Sequence, residues 1–457
     1  MNGTPLTPSL RQQAYASEFF HHAMGKLLIS CGPMDRRGRR TVFALAIVAV
    51  AAFAAWLHQL SRGLSVTAMG DYFSWGVYIV DFVFFIGISM AGTLISAILR
   101  LSNAPWRQPI TRMAEGITVC ALLVAAPMII IDMGRPDRIL FTIIHGRLQS
   151  PILWDVLSLS TYLAGSLLYL YLPLVPDLAL MRDQGDRFPS WAHRFYKVAS
   201  LGWQGTEAQR HHLEKGIAVM AIAIIPVAVS IHTVTAWLFG LTLRPGWHST
   251  IIGPDFVVGA IYSGVAAVIT FMAIFRHVFR LGRYIEPIHF QKLGMILMAS
   301  GLVYAYFTVN ELIGGIYAKE LGDRPLLTSI FSGKYAIEFW GMGVIGLLLP
   351  MLILMVKRLR TLAGIVTASV LVNIGMWIMR FLIVVPTLAA PYMPVPGMPG
   401  HRLTYAPTWV EWTITAGAFA AFGLLYILFS RLFPVISIWE LVEEHQAEAG
   451  HGEEAHV

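Results

Sequence analysis

A chain of 457 residues that is 56% hydrophobic and only 13% charged is neither a soluble globular protein nor a disordered one. Its formal net charge of +7 is spread over the connections between apolar runs, not gathered into one basic stripe, which argues against nucleic-acid binding. Two cysteines, Cys31 and Cys120, stand apart without a C-x-x-C spacing, so neither an iron–sulfur cluster nor a thiolate zinc site is expected in this chain.

In chain order, residues 1–40 read as a cytoplasmic N-terminal segment, with an aromatic and histidine patch at Phe19, Phe20, His21 and His22 suited to a surface helix on a partner. Arg36-Arg37 and Arg39-Arg40 precede an apolar run as long as a full span and without a small-residue cleavage site. That run is a retained helix, not an export signal. Ten apolar stretches follow at 41–61, 73–100, 109–133, 152–176, 215–242, 256–280, 289–317, 335–356, 361–387 and 409–433. A helix rises ~1.5 Å per residue, so about 20 apolar residues cross ~30 Å of hydrocarbon. The expected fold is an all-α integral membrane protein of ten transmembrane helices, occupying 41–433. The remainder, 434–457, is a charged cytoplasmic tail.

Orientation follows from charge. With the N-terminus inside, 23 Lys and Arg fall on the inner side, 9 on the outer side, and Arg380 within a span, out of 33. Positive residues favour the cytoplasmic side, so both termini are placed in the cytoplasm.

Ionisable residues inside the spans lean toward the outer side. Asp81, Asp132, Asp155, His232, Glu311, Glu338, Arg380 and Glu411 lie in outer halves or outer ends, and Glu115 at an inner end. A charge at the bilayer centre costs ~2.5–3.5 kcal/mol on insertion scales, so such residues face a protein interior or a watery cavity. Those within a turn of the interface also suit a helix cap. The deeper Asp81, His232, Glu311 and Arg380 suggest a polar site open to the outside, and with Glu338 they mark a candidate proton path.

The two halves echo each other. Arg112 precedes Asp132 by 20 residues and Lys292 precedes Glu311 by 19. Asp155 and Glu338 each follow a serine, Ser150 and Ser332, at the outer end of a span. Spans 2–5 and 6–9 are thus expected as two four-helix bundles in the same orientation, flanked by spans 1 and 10. Between spans 3 and 4, DMGRPDRILFTIIHGRLQSPILWD contains an amphipathic stretch too short to cross, expected at the outer mouth of the first bundle. It brings His145 toward Asp155, a pairing with groups that exchange protons, as quinone chemistry needs. A plain interfacial histidine and a helix cap also fit these two residues. Haem is not expected: His58 and His232 are the histidines well inside spans, and one such pair binds at most one haem.

Several passages resemble the NrfD/polysulfide reductase membrane-subunit family, most of all the ActC and ActF subunits of alternative complex III. They are WGVYIVDFVFFIGISMAGTLISAILRL (75–101), GRPDR (134–138), SPILWDVLSLSTYLAGSLLYLYLPLVPDLA (150–179), PGWHSTIIGPDFVVGAIYSG (245–264), GMWIMRFLIVV (375–385) and APTWVEWTITAGAFAAFGLLYILFSRLFPVISI (406–438). The resemblance implies a quinone site near the outer surface, with quinone or menaquinone as bound substrate and no haem, iron–sulfur cluster or metal in the chain. The tryptophan-aspartate opening span 4 places a quinol-site acid on Asp155, with Trp154 beside it and Arg135 in the GRPDR passage as further quinone-binding residues. A histidine typical of the family falls near Asp132, where this sequence has Asp; His145 stands in place to substitute, giving Asp155, His145 and Asp132 as the catalytic set. The implied partners are a peripheral iron–sulfur subunit of ferredoxin-like or molybdopterin-like kind on the periplasmic side, a second NrfD-like membrane subunit, a multihaem cytochrome c and the lipid bilayer of a bacterial inner membrane. Other readings are the membrane anchor or quinone-reactive subunit of a molybdopterin polysulfide reductase-like complex, and a non-redox subunit that translocates protons or solutes.

Overall fold

The computed structural model describes residues 25, 27–28, 31–32, 34–184, 188–242, 244–318, 320, 322–390 and 404–441. The patch at 19–22 and the tail beyond 441 lie outside the described residues.

Among the described residues every regular element is helical. Ten helices are long and apolar enough to cross a membrane: α1 Arg36–Arg62, α2 Val77–Leu101, α3 Gln108–Met133, α5 Pro151–Asp183, α7 Glu207–Gly240, α8 Ile252–Val278, α9 Pro287–Ala318, α11 Ala336–Met355, α12 Leu362–Leu388 and α13 Trp409–Leu432. Three short helices, α4 Phe141–Ile144, α6 Ser190–Ala199 and α10 Asp323–Phe331, lie in the connections. This is a multi-pass integral membrane protein.

Local chemistry sets the boundaries. Asp35 caps α1 by accepting the Gly38 N–H at 2.7 Å, and Thr361 caps α12 through the Gly364 N–H at 3.1 Å. Thr206 with Gln209, and Thr408 with Glu411, form capping boxes that open α7 and α13. At the other end of α3, Gly134 adopts φ +66, a left-handed conformation that glycine takes without a Cβ penalty.

Burial ranks the helices. In α2, 94% of the most apolar stretch is buried, against 6% in α1, so α2 is the central helix and α1 the peripheral one. Helix α2 packs on α3, α7, α8, α12 and α13, whereas α1 packs chiefly on α13. Its contact with α8 is as extensive as that between α5 and α7. The packing therefore forms one continuous core and does not of itself divide into two bundles. Close approach needs small residues, because lipid offers no hydrophobic drive for helices to associate. A β-carbon at Gly264 of α8 would lie 2.8 Å from the Ile88 carbonyl oxygen of α2. One at Gly346 would lie 2.9 Å from Gly375 Cα, in the seven-residue π-helical stretch Met342–Leu348 inside α11. There the Gly346 carbonyl accepts from Tyr262 Oη at 2.8 Å.

At the end carrying residues 102–107, inner by the charge count, the buried charges are paired. Arg112 and Asp177, both fully buried, meet at 2.9 Å, and Arg112 also donates to the Pro173 carbonyl. Arg100 bridges Glu115 at 3.3 Å and Glu440 at 3.0 Å, and Arg107 reaches Glu440 at 2.8 Å. Burial alone raises the Glu440 carboxyl, but Arg100 and Arg107 hold it below the ordinary carboxylate range. Asp177 further accepts the Trp439 N–H at 3.0 Å. Residues 434–441 are thus folded back against α2, α3 and α5, with Ile436 and Ile438 fully buried.

Breaking a buried pair by removing one partner costs about 3–5 kcal/mol, because the other charge is left uncompensated. Asp177→Asn should therefore lower the melting temperature in detergent markedly, and the double variant R112M/D177L should recover most of the loss. A single variant as stable as the parent would show that the pair contributes nothing.

Candidate functional site

The first cluster stands at the end carrying residues 63–76, outer by the charge count. Pro151 at the first helical position starts α5, which puts Asp155 in its opening turns. Asp155 is 4% exposed and turned toward α7, where Thr235 Oγ1 donates to its Oδ1 at 2.6 Å. Trp154, on the other face, is 49% exposed and donates Nε1–H to the Leu148 carbonyl at 2.7 Å. Ile143, Ile144, Leu148 and Ile152, close by in the chain, are exposed too. His145 follows α4, exposed, its ring edge-on to Phe141 at 5.2 Å. Arg135 pairs with Asp137 through two hydrogen bonds of 3.1 and 3.0 Å on the surface, which holds Asp137 below the usual carboxylate range. No hydrogen bond or ion pair joins Asp155, His145 and Asp132 to one another among the described residues.

Asp132 belongs to a second group beneath the 63–76 connection. It is buried beside Gly76 and Glu411, with Oδ1 unpartnered. Glu411 is a stitching residue: its carboxylate accepts from the Ala68 and Thr408 N–H groups, each at 2.8 Å, and from Tyr405 Oη at 2.5 Å. Tyr405 in turn accepts the Val77 N–H, and Tyr78 donates to Gln59 of α1. Asp81, one turn into α2, accepts from Trp377 Nε1 of α12 at 2.9 Å, while its Oδ2 is buried without a partner.

Two deep residues flank the same stretch of α2. The His232 Nε2 lies 3.2 Å from the Ile86 carbonyl oxygen and Nδ1 lies 2.9 Å from that of Ala228. A neutral imidazole donates to one of these at a time, an imidazolium to both. One residue along, a β-carbon at Gly87 would meet Ser263 Oγ at 3.3 Å and Arg380 Nη2 at 3.8 Å. The Arg380 guanidinium stands 5.0 Å over the Phe256 ring and interacts electrostatically with Asp255 and Tyr304. Its Nη1 has no hydrogen-bond partner.

Glu311 and Asp255 share a cavity of ≈ 530 Å³ between α8, α9 and α12, whose walls include Trp247, Thr308, Phe339 and Ile383. That size suits a small organic molecule. Glu338 is half-buried, with Oε2 unpartnered, and does not line the cavity. At the rim, His248 Nε2 lies 3.2 Å from Glu320 and 3.9 Å from Asp323. The Arg244 carbonyl, with Asp323 and Glu320, holds the His248 imidazole above its usual range.

Among the described residues, no salt bridge engages Asp81, Asp132, Asp155, Asp255, Glu311, Glu338 or Glu411. Of these, Asp81, Asp132, Asp255 and Glu338 each keep one buried carboxyl oxygen without a hydrogen-bond partner, an arrangement that buried polar groups rarely adopt. Sequence reasoning missed Asp255, Thr235, Trp377 and the trio at the rim. The signal for Asp255 was present: Asp81-Phe82-Val83 recurs as Asp255-Phe256-Val257, each followed by a serine eight residues after the acid, Ser89 and Ser263. The trio joins separate connections, and nothing in the linear text marks it.

The fold and this site define a polytopic membrane protein in which several buried acids of one half have no salt bridge among the described residues. The chain belongs to the polysulphide reductase NrfD family, whose model matches residues 65–391. It is similar to a putative dimethyl sulfoxide reductase membrane subunit of Halobacterium salinarum, 28% identical, covering 87% of this chain and 92% of the relative. It is similar to a selenate reductase subunit of Mesobacillus selenatarsenatis, 26% identical over 90% and 97% of the two chains. A third relative, the Hdr-like menaquinol oxidoreductase integral membrane subunit of Archaeoglobus fulgidus, is 22% identical over 88% and 96%.

Trp377→Phe keeps an aromatic ring, though a smaller one, next to Phe381 and Trp412 but removes the N–H donated to Asp81. Leaving a buried polar group unsatisfied costs about 1–3 kcal/mol. The variant should melt at lower temperature in detergent, and an unchanged melting temperature would remove Trp377 from any role in holding that acid.

Proposed function

We propose that the chain is the quinone-reactive membrane subunit of a multi-subunit reductase-type complex, the reading the reductase names of its relatives favour over an alternative complex III subunit. A menaquinol, the substrate class named for the Archaeoglobus relative, binds at the outer face beside Trp154. Oxidising one quinol releases two protons and two electrons. Asp155 accepts a proton from a quinol hydroxyl and passes it to outer water, with His145 and Asp132 as further acceptors and Arg135 at the rim. With no redox group proposed in this chain, both electrons pass to a peripheral iron–sulfur subunit and on to a catalytic subunit of the molybdopterin kind. Outer means periplasmic, with both termini in the cytoplasm of a bacterial inner membrane. The observation that carries this reading is Asp155 itself: a buried acid that accepts from the Thr235 hydroxyl, has no salt bridge among the described residues, and lies next in the chain to exposed apolar residues.

The repeated Asp-Phe-Val segments support a further element of the proposal, two four-helix units of spans 2–5 and 6–9 related by an internal repeat. The approach of both His232 and Arg380 to Ile86–Gly87 supports a proton path that runs from Asp81 and His232 past α2 to Arg380, Glu311 and Glu338. A second quinone position, in the cavity with Asp255 and Glu311, is favoured by the volume of that cavity.

Asp155→Asn preserves size and hydrogen bonding but cannot take up a proton. It should lower quinol oxidation at least tenfold, a barrier increase of about 1.4 kcal/mol, in a complex that still assembles. Wild-type turnover by the assembled variant would overturn the assignment.

A further inference from the structure

The rim of the Asp255–Glu311 cavity holds three donors that the quinone reading does not use. His248 lies in the connection between α7 and α8, Glu320 follows α9, and Asp323 opens α10. One ligand atom from each lies within 4.8 Å of the others. His248 Nδ1 lies 2.9 Å from the Arg244 carbonyl oxygen, so Nδ1–H donates there and Nε2 is left facing the two carboxylates. A carbonyl behind the ring in this way fixes the tautomer and aim of a metal-binding histidine. Asp323 is 6% exposed, and its Oδ1 accepts the Gly246 N–H at 3.2 Å, which leaves Oδ2 aimed at the imidazole. Gly246 has φ +78, so the turn that presents this N–H to Asp323 rests on a conformation glycine takes readily.

The spacing suits a small divalent ion. Nitrogen and oxygen donors at about 2.0–2.2 Å around a tetrahedral ion stand about 3.4 Å apart. The observed separations of 3.2 and 3.9 Å bracket that value. Glu320, whose side chain is 46% exposed, has the freedom to close the third edge. One imidazole and two carboxylates form a borderline donor set that takes zinc before magnesium or calcium.

We propose that His248, Glu320 and Asp323 bind a divalent transition-metal ion of the zinc class at the rim of the Asp255–Glu311 cavity. The ion ties the α7–α8 connection to the start of α10, and so braces the two elements that frame the opening. Its fourth coordination position is left to water.

The test uses the full-length protein in detergent, stripped with a chelator, exposed to zinc ion alone and dialysed. Wild type should retain one zinc per chain more than His248→Gln, by elemental analysis. Zinc should raise the melting temperature of wild type but not of the variant. X-ray absorption on the extra zinc should give one imidazole and oxygen ligands at about 2.0–2.2 Å. Glu320→Gln, on a half-exposed side chain, guards against a folding defect and should weaken binding tenfold or more. Equal zinc retention and equal melting shifts in wild type and both variants would overturn the proposal and leave the trio an ion-paired histidine.

Discussion

An ionised group carried into hydrocarbon loses its water, and the protein must replace that water with a counter-charge, a set of hydrogen bonds or a proton. The two ends of this molecule answer in different ways. At the inner end Arg100, Arg107 and Arg112 meet Glu115, Asp177 and Glu440, and the pairing draws residues 434–441 into the core. At the outer end Asp81, Asp155 and Glu411 have indole, hydroxyl and backbone donors and, among the described residues, no salt bridge. The inner end is locked by charge. These outer acids are held by neutral donors, an arrangement that supports the proposal of proton exchange there. Asp155 is the plainest example, since a single threonine hydroxyl holds it.

The centre of the molecule links these ends. Helices α2 and α8 approach through Gly87, Gly264 and their small neighbours, and each opens with Asp-Phe-Val near its outer end. Arg380 exploits the gap that glycine leaves: a side chain at Gly259 would meet its Nη2 at 3.1 Å. The same omission of side chains that lets the helices pack lets a buried cation reach between them. His232 approaches the same stretch of α2 at the Ile86 carbonyl.

Much of this was legible from the sequence, and the reasons for the rest are specific. Ten spans follow from length and hydropathy, because a bilayer demands about 20 apolar residues whatever the packing. Ends were less legible. Hydropathy begins the fifth span at 215, yet α7 starts at Glu207, where the Thr206 and Gln209 capping box adds polar turns. It ends the fourth at 176, yet α5 runs to Asp183, carrying Asp177 to its arginine. It begins the sixth at 256, and so leaves Asp255 just outside a span that the structure opens at Ile252. Asp155 was visible because it sits in a distinctive Trp-Asp opening. Its partner Thr235, eighty residues away, was not, and neither was the Trp377 indole that holds Asp81. Such pairs depend on which helices are neighbours, and linear spacing does not encode that.

The proposed quinone chemistry takes place beside Asp155, at the start of α5. The most direct measurement is photoaffinity labelling of the intact complex with an azido-quinone, followed by proteolysis and mass spectrometry. Labelling is expected within residues 141–158, around Ile144, Leu148 and Trp154, competed away by unlabelled menaquinone. Specific labelling confined to 245–256 and 308–318, the walls of the Asp255–Glu311 cavity, would contradict the claim.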